Sequence, residues 1–154
     1  MKVVIASSSY VSKPLISLLS SSREHELIGL ITNPDKATGS GMNIVPNELA
    51  SWGMSNGINV LKPEGRDNLK DLIKTLNPEI VITIAYGQII PEDFLNLPKY
   101  GWINVHFSAL PRWRGAAPVQ WAILSADKET GVTIFQLDKG MDTGPVYLSE
   151  SVSI

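Results

Sequence analysis

The chain has no cysteine and only two histidines, His25 and His106, among 154 residues. Without thiolates there is no disulfide framework and no thiolate metal centre, and two imidazoles alone fall short of a four-ligand structural zinc. No metal is expected. An excess of positive charge is also missing, since 13 Lys and Arg stand against 15 Asp and Glu, for a formal net charge of −2. That balance excludes the broad basic field behind non-specific nucleic-acid binding, so any RNA contact must be local or assisted. Long apolar runs are lacking too. Val3-Val4-Ile5-Ala6 breaks at Ser7-Ser8-Ser9, too early for a signal-peptide core, and no stretch approaches a membrane span. A soluble cytoplasmic protein without a membrane partner is expected, and no internal repeat or low-complexity linker divides it. What is present is 44% hydrophobic residues, enough at this length for one domain with one continuous core.

Residues 2–7 form a short apolar run without alternation, as expected of a strand covered on both faces. Ser12 is placed to cap a helix with Pro14 in its first turn and Leu15, Leu18 and Leu19 at helical spacing, running to about Ser22. Residues 26–32, 79–84 and 102–106 share the apolar, β-branched character of buried strands, and 58–60 is a shorter one. Helical patterns fall between them at 46–56, at 67–76 with Leu69, Leu72, Ile73 and Leu76 inward, and at 116–125. This alternation predicts an α/β fold: a doubly wound, mostly parallel sheet with right-handed crossovers and helices on both faces. Ligands then belong at the carboxyl ends of the strands. Residues 33–46 are the one long irregular segment, a candidate functional loop. In the tail, Val146, Leu148, Val152 and Ile154 alternate with polar residues, which predicts a half-buried strand, with Glu150 breaking the apolar series. That strand has no helix to cover it and no turn to end it, so the sequence reads as one domain over 1–154 cut short at its C-terminus.

Asn104 and His106 are two apart at the end of an inferred strand, so both side chains leave the same face toward the ligand crevice. Asp142 sits in Gly140-Met141-Asp142-Thr143-Gly144, whose glycines allow a tight loop to bring a carboxylate close. An amide, an imidazole and a carboxylate around one cleft suit acyl transfer to an amine: one polarises a carbonyl, one shuttles a proton, one fixes the imidazole's charge. Each residue also has a bland reading. A lone histidine at a strand end is more often structural, an Asp in a Gly-rich turn usually makes an Asx hydrogen bond, and an Asn can bond nearby backbone. The spacing of the three is by itself a weak signal. Trp52, Trp102 and Trp121 read as core packing and His25 as part of a solvated turn.

The text around these residues is far more specific. NVHFSALPRWRGAAPVQWAI followed by ETGVTIFQLDKGMDTG closely resembles the central block of methionyl-tRNA formyltransferases, and KVVIAS, TNPDK and IVITIAYGQIIP follow in that family's order. The resemblance implies transfer of a formyl group from 10-formyltetrahydrofolate, without a metal, to the α-amine of charged initiator tRNA, for initiation of translation. It implies that Asn104, His106 and Asp142 are catalytic. Ser108, Ala109, Leu110 and Pro111 would contact the folate, Tyr86, Gly87, Gln88 and Ile90 would flank its pterin, and Leu137, Asp138 and Lys139 would close the other side. Arg112, Trp113 and Arg114, charge interleaved with an aromatic, would meet the tRNA together with Lys36, although three such residues also describe an ordinary solvated loop with one packed ring.

Three departures qualify the match. The family usually has leucine where this chain has Ala109. Its loop at about 36–43 tends to carry several basic residues, whereas here Lys36 alone precedes Gly39-Ser40-Gly41-Met42-Asn43. It also continues into more catalytic domain and a basic tRNA-binding barrel that do not follow Ile154. A monomer is expected. Two other functions stay open: a relative using the same donor on glycinamide ribonucleotide or an amino-sugar nucleotide, and a catalytically silent folate-binding fragment. The PRWRGAAPVQ block favours the tRNA enzyme.

Overall fold

A computed structural model describes residues 1–38 and 43–154. In chain order the elements are β1 (Lys2–Ser7), α1 (Lys13–Ser20), β2 (Glu26–Ile31), β3 (Lys36–Thr38), β4 (Asn43–Val45), α2 (Glu48–Ser55), β5 (Val60–Leu61), α3 (Gly65–Leu76), β6 (Ile80–Ile84), β7 (Trp102–His106), α4 (Pro118–Leu124), β8 (Glu129–Gln136) and β9 (Val146–Ser153). Seven strands form one sheet in the order β5-β2-β1-β6-β7-β8-β9. The first five in that order run parallel, while β8 and β9 join antiparallel at one side. The expected α/β sheet is therefore mostly parallel with an antiparallel margin.

The apolar run of β1 lies at the centre because both of its faces are covered. Val4 and Ala6 pack with Leu69 and Ile73 of α3, and Val3 and Ile5 with Ile16 and Leu19 of α1 and Leu49 of α2. From β1 the chain winds outward to β2 and β5, then returns to β6 and continues through β7. The winding reverses between β1 and β6, and in an open α/β sheet ligands bind beyond the carboxyl ends of the strands at that reversal.

Several local expectations change. Ser12 precedes α1, but its hydroxyl donates to the Ser9 carbonyl (2.9 Å) and caps nothing. Ser9 instead accepts from the Val11 N–H and caps a single 3-10 turn at Tyr10–Ser12. The segment 33–46 holds a small antiparallel hairpin, β3 with β4, separate from the main sheet. The run Gly39-Ser40-Gly41-Met42 lies outside the described residues. The strand expected at 58–60 forms at Val60–Leu61. The final strand is not half-buried: every residue of β9 is exposed, including Leu148 at 51% and Val152 at 47%. Its alternation is real, but it lies at the end of the strand order, with β8 as its one strand partner among the described residues. Trp102 is fully buried, as expected, whereas Trp121 is 52% exposed. His25 is half-buried after the exposed bend at residues 23–24, beside an open cavity at the amino ends of the strands with Met1, Lys2, Glu26 and Glu79.

Candidate active site

The carboxyl ends of β6 and β7 carry the polar residues Thr83, Asn104 and His106. Thr83 pairs with Asn104 in the parallel register, and its hydroxyl donates to Asn104 Oδ1 at 2.8 Å. The same hydroxyl also reaches the Ile103 carbonyl at 3.1 Å, and with its carbonyl side toward Thr83 the Asn104 amide turns its N–H2 away. Two residues on, His106 is buried, with the Phe135 ring of β8 edge-on at 6.4 Å.

Both ring nitrogens of His106 face oxygen. Nε2 lies 2.8 Å from the Trp113 carbonyl, which can only accept, so Nε2 carries a hydrogen. Nδ1 lies 3.6 Å from Asp142 Oδ2. Asp142 has a left-handed backbone (φ 51°), a conformation Asp tolerates better than most residues. Its Oδ2 accepts the Gly115 N–H at 2.7 Å, and its main-chain oxygen accepts Arg114 Nε at 3.0 Å. The loop carrying Asp142 closes through the Gln136 N–H, which donates to the Pro145 carbonyl at 2.9 Å. At Gly144 a Cβ would fall on the Gln136 carbonyl oxygen, so this glycine permits a close backbone approach.

The structure thus brings His106 and Asp142, 36 positions apart in sequence, within 3.6 Å, and places Asn104 two residues before His106 on β7. An amide donor, a ring whose Nδ1 can take up and release a proton beside a carboxylate, and that carboxylate form an array able to polarise a carbonyl and move a proton.

The residues expected to hold folate divide by setting. Tyr86 is buried in an apolar cluster with Trp102 and Phe94, and Ile90 and Leu137 pack against that same cluster. Gly87, Gln88, Asp138 and Lys139 are exposed around it. Gln88 Nε2 donates to Asn33 Oδ1, and Asp138 Oδ1 accepts from Gly140 N–H (2.9 Å) and the Thr143 hydroxyl (2.8 Å). Ser108 is buried and its hydroxyl donates to the Arg112 carbonyl at 2.6 Å, so that hydroxyl shapes the turn. Ala109 and Pro111 are exposed and Leu110 is half-buried. Thr133 holds this segment by donating to the Ser108 carbonyl (2.7 Å) and accepting the Leu110 N–H (3.2 Å).

Of the residues expected to face tRNA, Lys36 is exposed on the separate β3–β4 hairpin and Arg114 is exposed beside Asp142. Arg112 makes a two-pronged ion pair with Asp127 (2.8 and 2.7 Å), and the Trp113 indole N–H donates to the same carboxylate at 2.8 Å. The Arg112 guanidinium, with the Trp113 indole, holds the Asp127 carboxyl down to about 2. The exposed Trp121 stacks on Trp113, with centroids 6.2 Å apart and planes 12° from parallel.

Sequence reasoning missed Thr83, Thr133 and Asp127, and the backbone groups of Trp113 and Gly115. For Thr83 a signal existed, a hydroxyl inside the apolar run IVITI, since a buried polar group must find a partner. For Asp127, in SADK, nothing distinguished it from an ordinary turn residue.

Asn104, His106 and Asp142 thus stand beside the carboxyl edge of a doubly wound, mostly parallel sheet. The chain belongs to the formyl transferase family, whose profile matches residues 1–154. Its curated relatives include methionyl-tRNA formyltransferases of Dictyoglomus thermophilum (47% identical over 131 residues, 83% of this chain and 42% of that protein) and Salinispora arenicola (42% over 149 residues, 96% and 48%). The chain therefore spans about half the length of the curated relatives it matches. Among solved structures, a phosphoribosylglycinamide formyltransferase from Bacillus halodurans aligns with a TM-score of 0.79 at 23% identity, covering 100% of this chain and 80% of that one. A formyltetrahydrofolate deformylase from Pseudomonas syringae pv. tomato aligns with a TM-score of 0.77 at 21% identity, covering 99% and 51%. At these identities the two structures bear on the fold alone.

Proposed function

We propose that the protein transfers the formyl group of 10-formyltetrahydrofolate to the α-amino group of methionyl-initiator tRNA. The Asn104-His106-Asp142 cluster carries this reading, because it supplies a carbonyl-polarising donor and a proton relay side by side. The acceptor is inferred from relatives 38–47% identical that bear the methionyl-tRNA formyltransferase name, whereas the glycinamide-type neighbours fall below 25% identity.

In this reading the amine nitrogen attacks the formyl carbon and forms the new C–N bond. Oxygen gains charge in the tetrahedral intermediate, and the Asn104 amide donates a hydrogen bond to it; His106, whose Nε2–H is held by the Trp113 carbonyl, takes part through Nδ1, which donates once it is protonated. The C–N10 bond of the folate then breaks, and the amine's proton is delivered to N10 through His106 or Asp142, directly or by water. Asp142, 3.6 Å from Nδ1, orients the ring during that transfer. The folate lies between the Tyr86–Ile90 and Leu137–Lys139 segments, with 108–111 beneath. Arg112, Trp113, Arg114 and Lys36 face the acceptor end of the tRNA. The protein works in the cytoplasm, as a monomer and without a metal.

His106→Ala and Asn104→Ala should each retain the fold and folate binding while slowing single-turnover transfer by about 10²–10³-fold, the scale of losing an oxyanion donor or a general acid. Because both act on the same developing charge, the double variant should lose less than the product of the single losses. Unchanged single-turnover rates would remove the assignment.

A further inference from the structure

The two oxygens that engage His106 come from different parts of the chain, and one carboxylate outside the cluster organises the turn that links them. Asp127 follows α4, and its N–H donates to the carbonyl of buried Ala122 at 3.0 Å, so its backbone is tied to a helix end. Its side chain, 14% exposed, accepts three hydrogen bonds, two from Arg112 and one from the Trp113 indole. The Trp113 ring has the Arg112 guanidinium 4.4 Å from its centroid and stacks with Trp121. Held in this way, Trp113 adopts φ 59°, a left-handed conformation that a bulky residue takes only where its surroundings fix it. That backbone aims the Trp113 carbonyl at His106 Nε2. Two residues later the same turn gives the Gly115 N–H to Asp142.

We propose that Asp127 is a positioning residue for the His106–Asp142 pair, acting through the turn of residues 112–115. An isolated surface ion pair would contribute little and could be removed with little effect. Asp127 differs because its partners are the two residues whose backbone presents an acceptor to one member of the pair and leads into the donor to the other. Arg112 thereby serves the inside of the turn, whatever its outer face meets.

The kinetic arm of the test rests on the formyl-transfer reading; the spectroscopic arm does not. The chain has only two histidines, so a long-range ¹H–¹⁵N spectrum of the imidazoles resolves His106 once His25→Gln identifies the other ring. In the native protein His106 should show a hydrogen fixed on Nε2. Asp127→Ala should move that ring toward the mixed tautomers of a free imidazole and lower kcat by about 10–100-fold, as expected when a catalytic group is displaced by a change outside the chemistry. The KM for the formyl donor should change little. Trp113→Phe, which deletes only the indole N–H and keeps a ring, and Asp127→Asn, which keeps an acceptor oxygen, should fall between native and Asp127→Ala on both readouts. If Asp127→Ala does not fold, these two variants decide. An unchanged His106 spectrum in folded variants overturns the proposal, whether or not kcat falls. A shifted spectrum with full kcat overturns it as well if His106→Ala is inactive. Full activity of His106→Ala would refute the catalytic reading instead, and the spectrum would still report whether Asp127 positions the ring.

Discussion

At Tyr86 the phenol ring is 3% exposed within the apolar cluster of Val4, Ile31, Phe94 and Trp102, and its hydroxyl has no protein hydrogen-bond partner among the described residues. Burial pushes its pKa up to about 12. A folded-state pKa above the unfolded value means that folding favours the neutral phenol. The associated stability is fully present below about pH 10 and is lost as pH rises through about 12. Tyr86→Phe should abolish a phenol that ionises near pH 12 in an absorbance titration. It should also leave the unfolding free energy unchanged or raise it by up to about 1 kcal/mol, since an unpartnered buried hydroxyl costs more than its deletion. A loss of more than about 1 kcal/mol in urea denaturation would mean that the hydroxyl is bonded in solution. Folate affinity measured on the same variant separates the ring's role as a pocket wall, which Phe retains, from any role of the hydroxyl.

Among the elements, β7 and the loop after β8 set the geometry of the site. The common face of Asn104 and His106 was legible in the sequence because a strand repeats every two residues and WINVH ends where the apolar run ends. The order of parallel strands and helices was legible for the same kind of reason, through period and turn chemistry. The antiparallel course of β8 was not, because a strand following a helix gives no local sign of its direction. Nor was the role of Asp127, whose partners Arg112 and Trp113 lie 15 and 14 positions away across α4. The close approach expected of the glycines around Asp142 is made at Gly144, where a Cβ would meet backbone, which has no rotamer to yield. Gly144→Ala should therefore destabilise the fold by roughly 1–3 kcal/mol, the range for forcing atoms into a filled site. It should also slow formyl transfer by shifting Asp142, two residues earlier, away from His106. A variant with native urea midpoint and native single-turnover rate would show that the 137–145 loop is not tied to Gln136 in solution.

Over the whole molecule, cover is uneven. The β1 region is packed from both sides, whereas Ile103, Ile134 and Tyr147 line a shallow apolar cavity with Ile80 and Tyr100, and Leu148 and Val152 stand about half exposed on β9. In β9 the one charged residue is Glu150, between those two apolar side chains on the same face of the strand. A contiguous apolar surface of this kind binds amphiphilic dyes and promotes association, and an edge strand with little charge adds an unpaired row of backbone groups. The protein should therefore enhance the fluorescence of anilinonaphthalene sulfonate in its folded state, before any unfolding transition. Leu148→Lys with Val152→Lys should cut that enhancement sharply. The double change should shift stability by no more than about 0.5 kcal/mol per site, because each side chain already meets solvent and lysine is tolerated on an edge strand. Dye binding that survives both substitutions would place the apolar surface elsewhere. A stability loss well beyond that range would show that β9 is covered in solution, and sedimentation across a concentration series would then tell whether a second copy covers it.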